Sequence, residues 1–301
     1  MSKITVNTSN ESASSQLGKV YLVGAGPGAV DLITVRGAKL LAQADIVFYD
    51  ALVEREMLSL CPQAEHVAVG KRCGKLSSAQ AFINKRLVDA AQKHQVVVRL
   101  KGGDPMLFGR ADEEITALKE AGIAVEVVPG ITAALAGAAS LQQSLTLRGV
   151  SRSVAFVTLA QGTENTNDIA EDSKLNSGPI SNPSADTLVY YMGRKDAAKI
   201  AQQLITEHQN HHQDTPVHIL EAVSTANERH WTSNLGELAQ GKADNWFDKN
   251  SPALIMIGEA LKQDSSSKEQ KEHLADLERS CSKINDGLQD SLVLTNRRRR
   301  A

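Results

Sequence analysis

The stretch KVYLVGAGPGAVDLITVRGAKLLAQADIVFYD, residues 19–50, decides the fold class of this chain. It predicts a strand at Lys19 to Val23, a glycine-rich turn, a helix from about Thr34 to Gln43, and a second strand at Ile46 to Tyr49 that ends at Asp50. The order strand, helix, strand is typical of a parallel sheet that helices cover.

The same alternation continues along the chain. Further candidate strands lie at 66–69, 96–100, 124–128, 154–159, 187–192, 217–220 and 253–257, and candidate helices at 79–93, 112–121, 131–141, 197–208 and 234–239. Pro129 and Gly130 interrupt the pattern, and a second α/β half begins near Ser153. We therefore predict two α/β domains, residues 18–129 and 130–261, with a ligand cleft between them where loops leave the carboxyl ends of strands.

Three polar stretches fall outside this pattern. Because they contain few apolar residues, we predict a disordered tail at 1–17, a flexible surface loop at 161–186, and a polar tail at 262–301 with one possible helix near 268–281. Arg297 to Arg300 end that tail, and we interpret them as a solvated terminus rather than as a nucleic-acid or membrane site.

The composition argues against several classes of partner. The chain has 33 Lys and Arg against 35 Asp and Glu, a net charge of -2, and only 4% aromatic residues, whereas proteins that bind the phosphate backbone usually carry a basic excess.

The longest nearly uncharged apolar stretch, 127–141, is too short to span a bilayer, and the N-terminus has no apolar signal segment. Cys61, Cys73 and Cys281 are odd in number and never closely spaced, which excludes a disulfide framework and a CxxC metal site. We expect a cytoplasmic protein with no metal, no nucleic-acid partner and no membrane association.

The first glycine-rich loop, Gly24 to Ala29, satisfies the dinucleotide-binding pattern G-x-G-x-x-G/A, and Asp50 ends the next strand where a ribose-binding acid would stand. An NAD-dependent oxidoreductase is therefore one alternative, and a tight turn without a ligand is another. Two features count against the dinucleotide. Pro27 offers no N–H to a pyrophosphate, and no helix starts directly at the glycines.

Three further loops follow predicted strands. The loop 99–110 contains the paired glycines Gly102 and Gly103, which let a ligand approach the backbone, and Asp104, which the following proline holds extended. The other two loops are VPGITAA at 128–134 and YYMGR at 190–194.

Together these loops resemble the motifs of the tetrapyrrole methylases. The matching segments are VGAGPG (23–28), YD (49–50), VGKR (69–72), RLKGGDPMLFGR (99–110), VPGITAA (128–134), YMG (191–193) and SPAL (251–254). They occur in the family's order, and the resemblance covers residues 19–261. It implies two α/β domains with a cofactor cleft between them, S-adenosyl-methionine as the methyl donor, a small-molecule tetrapyrrole substrate, and a homodimer.

The resemblance also implies a set of cofactor positions. They are Pro27, Gly102, Gly103, Asp104, Leu107, Thr132, Ala133, Met192, Val223 and Ala253. An adenosyl group and a folded methionine tail need close backbone approach and few bulky side chains, which most of these residues allow. Asp104 could accept hydrogen bonds from ribose hydroxyls or from the cofactor's ammonium, and Met192 could instead pack in the core.

For the reaction, the resemblance implies Asp50 and Lys71 as acid–base partners, and either of them could remove the substrate proton. Arg110, oriented by Glu113 one helical turn on, and Arg148 are the substrate-binding candidates, because a guanidinium pairs with a carboxylate in two places. Other basic residues at strand ends or nearby could help a polycarboxylate dock; they are Lys71, Arg72, Arg99, Lys101, Arg152 and Arg194.

The reaction that the resemblance implies is methylation of uroporphyrinogen III, which carries eight carboxylates, on two pyrrole rings to give precorrin-2 for sirohaem or cobalamin synthesis. The sequence departs from the family pattern mainly on the substrate side. Ala51, Leu147 and Ala160 replace residues that are usually Arg, His and His, and Val223 replaces a glycine. A methylase of another tetrapyrrole, an NAD-dependent oxidoreductase and a non-enzymatic binding module are the alternatives.

Overall fold

The computed structural model describes residues 17–69, 76–159, 183–207 and 210–262, with the backbone alone for 76–79. Most of the predicted tail at 1–17, most of the predicted loop at 161–186 and the possible helix near 268–281 lie outside the described residues, as do Lys71, Arg72 and Ala160.

The first half of the chain forms a five-stranded parallel sheet in the order β3-β2-β4-β1-β5. Its elements are β1 (Lys19–Gly24), α1 (Val35–Leu41), β2 (Ile46–Tyr49), β3 (Glu65–Ala68), α2 (Leu76–Ala91), β4 (Val96–Lys101), α3 (Ala111–Glu120) and β5 (Val125–Val128). Side chains of β1 alternate between two cores, since Val20 and Leu22 pack on one face of the sheet and Val23 on the other. Because apolar cores lie on both faces of the sheet, most residues of its inner strands are apolar.

The second half forms a mixed five-stranded sheet in the order β6-β7-β10-β8-β9, in which only β6 and β7 pair in parallel. Its elements are α4 (Ala133–Leu141), β6 (Val154–Thr158), β7 (Thr187–Tyr191), α5 (Ala197–Glu207), β8 (Pro216–Glu221), β9 (Arg229–Asn234), α6 (Leu235–Ala239) and β10 (Ala253–Ile257). Short 3₁₀ helices lie at Val30–Leu32, Arg55–Leu60, Arg194–Asp196 and Glu259–Leu261. The predicted α/β class is confirmed, and β9 is the strand that the sequence patterns did not predict.

Helix α4 connects the two halves. It follows β5 directly, yet Ala134, Ala138 and Leu141 pack on the second sheet, against apolar side chains such as Leu220 and Met256. The loops that precede α4 therefore lie between the two sheets, while the predicted domain boundary at 129–130 stays a prediction. Within the described ranges, no helix is both long and apolar enough to cross a membrane.

Candidate active site

Three loops at the carboxyl edge of the first sheet pack backbone against backbone. Gly103 donates its N–H to the carbonyl of Gly26 at 2.7 Å, and Gly26 donates back to Gly103 at 3.2 Å. Gly26 has a φ of +81° and Gly103 a φ of +67°, and glycine adopts such positive angles without strain. A Cβ on Gly24 would lie 2.6 Å from the Cα of Gly130. The glycines therefore let the loops after β1, β4 and β5 pack together at this edge, where Gly24 and Gly26 are buried and Gly103 and Gly130 keep partial exposure to a ligand.

Asp104 holds two of these loops together. Its Oδ2 accepts a hydrogen bond from the Gly130 N–H at 2.8 Å, and its Oδ1 accepts one from the Met106 N–H at 2.8 Å. The residue is half-buried. Because an ionised carboxylate has about four acceptor sites, Asp104 keeps capacity for a ligand's hydroxyl or ammonium group.

Tyr191, at the end of β7, joins the first loops to the second sheet. Its hydroxyl lies 2.5 Å from the Thr132 Oγ1 and accepts a hydrogen bond from the Ala134 N–H at 3.1 Å. Its ring centroid is 5.2 Å from that of Phe108. Burial raises the pKa of Tyr191, and its hydrogen bonds with Thr132 and Ala134 partly offset that rise. The phenol therefore stays neutral and links the start of α4 to the second sheet without a charge.

Five non-glycine residues around the cleft have a left-handed backbone. They are Phe108, Arg110, Met192, Ala222 and Ser224, with φ between 49° and 64°. Such residues are uncommon and tend to cluster at ligand sites. Met192 is 56% exposed and Phe108 is 39% exposed. Core packing, the alternative interpretation of Met192, does not describe a side chain with this exposure.

The loop after β8 contacts the loop after β1. The Ser224 Oγ accepts a hydrogen bond from the Ala29 N–H at 3.0 Å, which ties this loop to the one after β1. Val223 is buried in the core of the second sheet, so its backbone rather than its side chain borders the cleft. Ala253 is the first residue of β10 and pairs with Glu221.

Asp50 stands at the end of β2, beside the paired glycines. Its Oδ1 accepts a hydrogen bond from the Leu52 N–H at 3.0 Å, and its Oδ2 accepts one from the Gly102 N–H at 3.4 Å. The same Oδ2 lies 3.6 Å from a terminal nitrogen of Arg99, and the side chain is 24% exposed. The structure therefore brings this predicted acid next to predicted cofactor residues, while Lys71 lies outside the described residues.

Arg99 and Lys101 correct one expectation. The sequence presented them as cations that could dock a polycarboxylate, but both are buried and paired with Glu114, at 3.1 and 3.0 Å. Burial lowers the pKa of Lys101, and the neighbouring charge of Arg99 lowers it further. Because the sheet is covered on both faces, these two side chains are buried, and Glu114 neutralises their charge inside the protein.

Arg110 and Glu113 form an exposed bidentate pair, with nitrogen–oxygen distances of 2.5 and 2.7 Å. Arg148 is exposed and lies in a tight turn closed by the bond from the Leu147 N–H to the Ser151 carbonyl at 3.0 Å. Arg194 instead donates to the carbonyls of Asp248 and Ser251, which makes it a tie between loops.

A cavity of about 490 Å³ lies between α4, the segment 142–146 and β6. Leu135, Leu145 and Phe156 contribute apolar lining, and Gln142 and Gln143 contribute polar lining. It adjoins Leu147, one of the positions where the sequence departs from the family pattern.

The geometry also bears on the NAD alternative. The chain after Gly28 forms a 3₁₀ helix at Val30–Leu32, and α1 begins only after Thr34, whose Oγ1 accepts from the Gly37 N–H at 3.1 Å. The glycines therefore do not open onto a helix N-terminus, which a bound pyrophosphate requires.

Sequence reasoning did not identify Glu114, Phe108 or Ser224 as part of this site. Glu114 stands beside Glu113 in a helical first turn, and no sequence signal separates the buried acid from the exposed one. Phe108 and Ser224 owe their positions to backbone conformations that a single sequence does not indicate for non-glycine residues.

The chain was compared with known proteins. It matches the family described as Tetrapyrrole (Corrin/Porphyrin) Methylases over residues 19–239. It is 42% identical over 245 residues to the uroporphyrinogen-III C-methyltransferase of Pseudomonas aeruginosa, covering 81% of this chain and 95% of that relative. It is 41% identical over 249 residues to the siroheme synthase of Psychrobacter sp. (strain PRwf-1), covering 82% of this chain but only 48% of that relative.

A solved structure gives the same result. The uroporphyrin-III C-methyl transferase from Thermus thermophilus, complexed with S-adenyl homocysteine, has a TM-score of 0.65 to this chain at 37% identity, covering 81% of this chain and 94% of that one. The chain thus spans nearly all of the dedicated methyltransferases and about half of the siroheme synthase it matches. The family match extends over most of both sheets, and the loops that form the cleft lie within or beside it. The chain belongs to the tetrapyrrole methylase family.

Proposed function

We propose that the chain methylates uroporphyrinogen III on two pyrrole carbons, with S-adenosyl-methionine as the methyl donor, to give precorrin-2. The observation that carries this proposal is the 42% identity along 95% of a relative named uroporphyrinogen-III C-methyltransferase. The siroheme synthase relatives support a place in sirohaem or cobalamin synthesis. The cleft between the two sheets is the proposed reaction site.

The residues at the cleft fit the methyl donor. An added Cβ on Gly24 or Gly130 would clash with the backbone of a neighbouring loop, and Gly103 has the positive φ that glycine favours, so these three positions keep the loops close together. Asp104 would accept from a hydroxyl or an ammonium, and Met192 would pack against the adenosyl group from the second sheet. Pro27, Leu107, Thr132, Ala133, Val223 and Ala253 complete the proposed donor site. When bound, S-adenosyl-methionine supplies an electrophilic methyl group on a sulfonium sulfur.

The protein's own part in catalysis is to align the substrate carbon and to take up a proton. Alignment in a near-attack geometry can contribute about 7–11 kcal/mol in favourable cases. When a carbon–carbon bond to the methyl group forms, the methyl–sulfur bond breaks and the substrate loses a proton. Asp50 is the proposed acceptor, because its carboxylate stands at the end of β2 beside Gly102 and retains solvent access. Lys71 is its proposed acid–base partner.

The substrate's carboxylates require cations at the rim of the cleft. Arg110 and Arg148 are the proposed anchors, since both are exposed, Arg110 just before α3 and Arg148 in the turn between α4 and β6. Glu113 holds the Arg110 guanidinium in one orientation and would release part of it to a substrate carboxylate. We further propose that the chain acts as a homodimer in the cytoplasm, in keeping with the family resemblance.

The proposal is tested by anaerobic incubation of the purified chain with S-adenosyl-methionine and uroporphyrinogen III, with mass spectrometry of the product. A gain of two methyl groups is expected, and no gain would contradict the proposal. Calorimetry with S-adenosyl-homocysteine and with NAD, run in parallel, distinguishes the methylase from the oxidoreductase.

A methylase of another tetrapyrrole is the second candidate. Ala51 and Leu147, both exposed, alter the substrate side of the pattern, and the cavity beside Leu147 is lined mainly by apolar atoms. Competition between uroporphyrinogen III and an already methylated tetrapyrrole in the same assay decides between them, and preference for the methylated compound favours the second candidate.

A further inference from the structure

A network of charged side chains extends from the proposed base into the protein interior. It consists of Asp50, Arg99, Lys101 and Glu114. Glu114, in the first turn of α3, has no exposed side-chain surface. One of its carboxylate oxygens accepts from the Arg99 Nε at 3.1 Å and from the Gln80 Nε2 at 3.2 Å, and the other accepts from the Lys101 Nζ at 3.0 Å. Arg99 and Lys101 belong to strand β4, whereas Gln80 and Glu114 belong to helices α2 and α3.

Arg99 connects Glu114 to Asp50. One terminal nitrogen of Arg99 donates to the Leu100 carbonyl at 2.8 Å and lies 3.5 Å from the Phe48 carbonyl. The other lies 3.6 Å from the Asp50 Oδ2. Because Phe48 is opposite Arg99 in the β2–β4 register, the guanidinium crosses beneath the strand that ends at Asp50. Glu114 fixes the Nε side of this planar group and so sets the direction of its far side.

The network is balanced in charge. Arg99 and Lys101 supply two positive charges, and Glu114 and Asp50 supply two negative ones. A buried cation requires a paired counter-charge. Without Glu114, Asp50 would be the one carboxylate of this network that could pair with Arg99 and Lys101. The two cations would then draw Asp50 inward, away from its hydrogen bond with the Gly102 N–H.

We propose that Glu114 is a positioning residue for methyl transfer. Through Arg99 it holds the Asp50 carboxylate at the edge of the cleft, and it neutralises the buried cations that would otherwise attract that carboxylate. The inference rests on the proposed role of Asp50 as proton acceptor. Glu114 itself is too deeply buried to contact a substrate.

The test is Glu114→Gln, which keeps the size of the side chain and removes its charge. We expect kcat to fall by roughly 10- to 100-fold, as for a displaced catalytic group, while KM for uroporphyrinogen III and the affinity for S-adenosyl-homocysteine change by less than about threefold. His218→Gln is the matched control, because it replaces a buried imidazole of the second sheet that bonds to the Leu261 carbonyl at 2.8 Å. It should lower Tm and leave kcat unchanged.

A double variant distinguishes the loss of positioning from a general loss of stability. Glu114→Gln combined with Lys101→Met removes one buried charge of each sign, so Tm should recover relative to the single variant while kcat stays low. Recovery of kcat together with Tm would overturn the positioning role. Normal kcat in Glu114→Gln, together with an inactive Asp50→Asn, would also overturn the positioning role. That result would leave Asp50 as the proposed base. A fully active Asp50→Asn would instead overturn both.

A crystal structure of Glu114→Gln supplies a readout that does not depend on turnover. We expect the Asp50 carboxylate to turn towards Arg99 and to lose its hydrogen bond from the Gly102 N–H. An Asp50 that keeps the wild-type position would overturn the inference, whatever the activity of the enzyme. Absence of methylation by the wild-type chain would contradict the proposed function separately.

Discussion

Gly130 and Gly137 make a matched pair of glycines seven residues apart. Alanine at Gly130 would place its methyl group 2.8 Å from the Cα and 3.0 Å from the carbonyl carbon of Gly24, and these backbone atoms cannot rotate away. Alanine at Gly137, inside α4, would meet the Leu220 Cδ2 at 3.4 Å and the Met256 Sδ at 3.5 Å, which is ordinary contact.

The two substitutions should therefore have opposite effects on stability. Overpacking at Gly130 costs about 1–3 kcal/mol. Displacement of its loop also weakens the bond from the Gly130 N–H to the Asp104 carboxylate, at 2.8 Å. We expect Gly130→Ala to lower the free energy of unfolding by about 2–4 kcal/mol. Gly137→Ala should raise it by about 0.5–1 kcal/mol, because alanine loses less backbone entropy in a helix.

Urea unfolding of the two variants and the wild type measures both effects, and calorimetry with S-adenosyl-homocysteine measures the effect on the cleft. Gly130→Ala should bind this ligand at least tenfold more weakly, since its loop shapes the donor site, while Gly137→Ala should bind it normally. Equal stability and equal affinity in the two variants would refute the close packing of the three glycine loops as the basis of the cleft.

Three other predictions follow from single contacts. Tyr191→Phe should lower the free energy of unfolding by about 1–2 kcal/mol, because two hydrogen bonds of its hydroxyl are lost and the Ala134 N–H must find another acceptor, measured by urea unfolding. Burial lowers the pKa of His218 below its ordinary value of 6.5. The neutral buried imidazole therefore contributes its full stability above pH 6.5 and loses it as the pH falls, because the unfolded chain takes up the proton at a higher pH than the folded one. The urea midpoint of the wild type should fall more steeply than that of His218→Gln between about pH 7 and pH 5. Arg110→Lys should raise KM for uroporphyrinogen III about tenfold, because the fork that pairs bidentately with carboxylates is lost, while Glu113→Gln should raise it less; an unchanged KM in steady-state kinetics would remove Arg110 from the substrate site.

Much of the fold was predictable because strand patterns are local. Runs such as VYLV and IVFY read as strands whatever surrounds them, and the parallel first sheet follows from their alternation with helices. Strand β9, RHWTSN, was not predictable in the same way. It is an edge strand with a mostly exposed, polar face, so it lacks an apolar run, and its pairing depends on β8.

In the candidate site, too, features that depend on local sequence were predictable and features that depend on tertiary packing were not. The close contact among the glycine loops was predictable from motif residues, because close backbone approach restricts the residue type, while the role of the glycines and Asp104 in binding the methyl donor stays a prediction. The pairing of Arg99 and Lys101 with Glu114 was not, since it depends on how α3 packs beside β4 and on which of two adjacent acids faces inward. Charge patterns along a sequence indicate a site rich in charge but do not show which charges remain open to a ligand.

A crystal structure of the chain grown with S-adenosyl-homocysteine tests the location of the methyl-donor site most directly. We expect the ligand between the loop at Gly102 to Leu107 and Met192 at the end of β7, with a polar group bonded to Asp104. Ligand density outside the cleft between the two sheets, or a crystal without the ligand at concentrations far above its calorimetric Kd, would contradict that location.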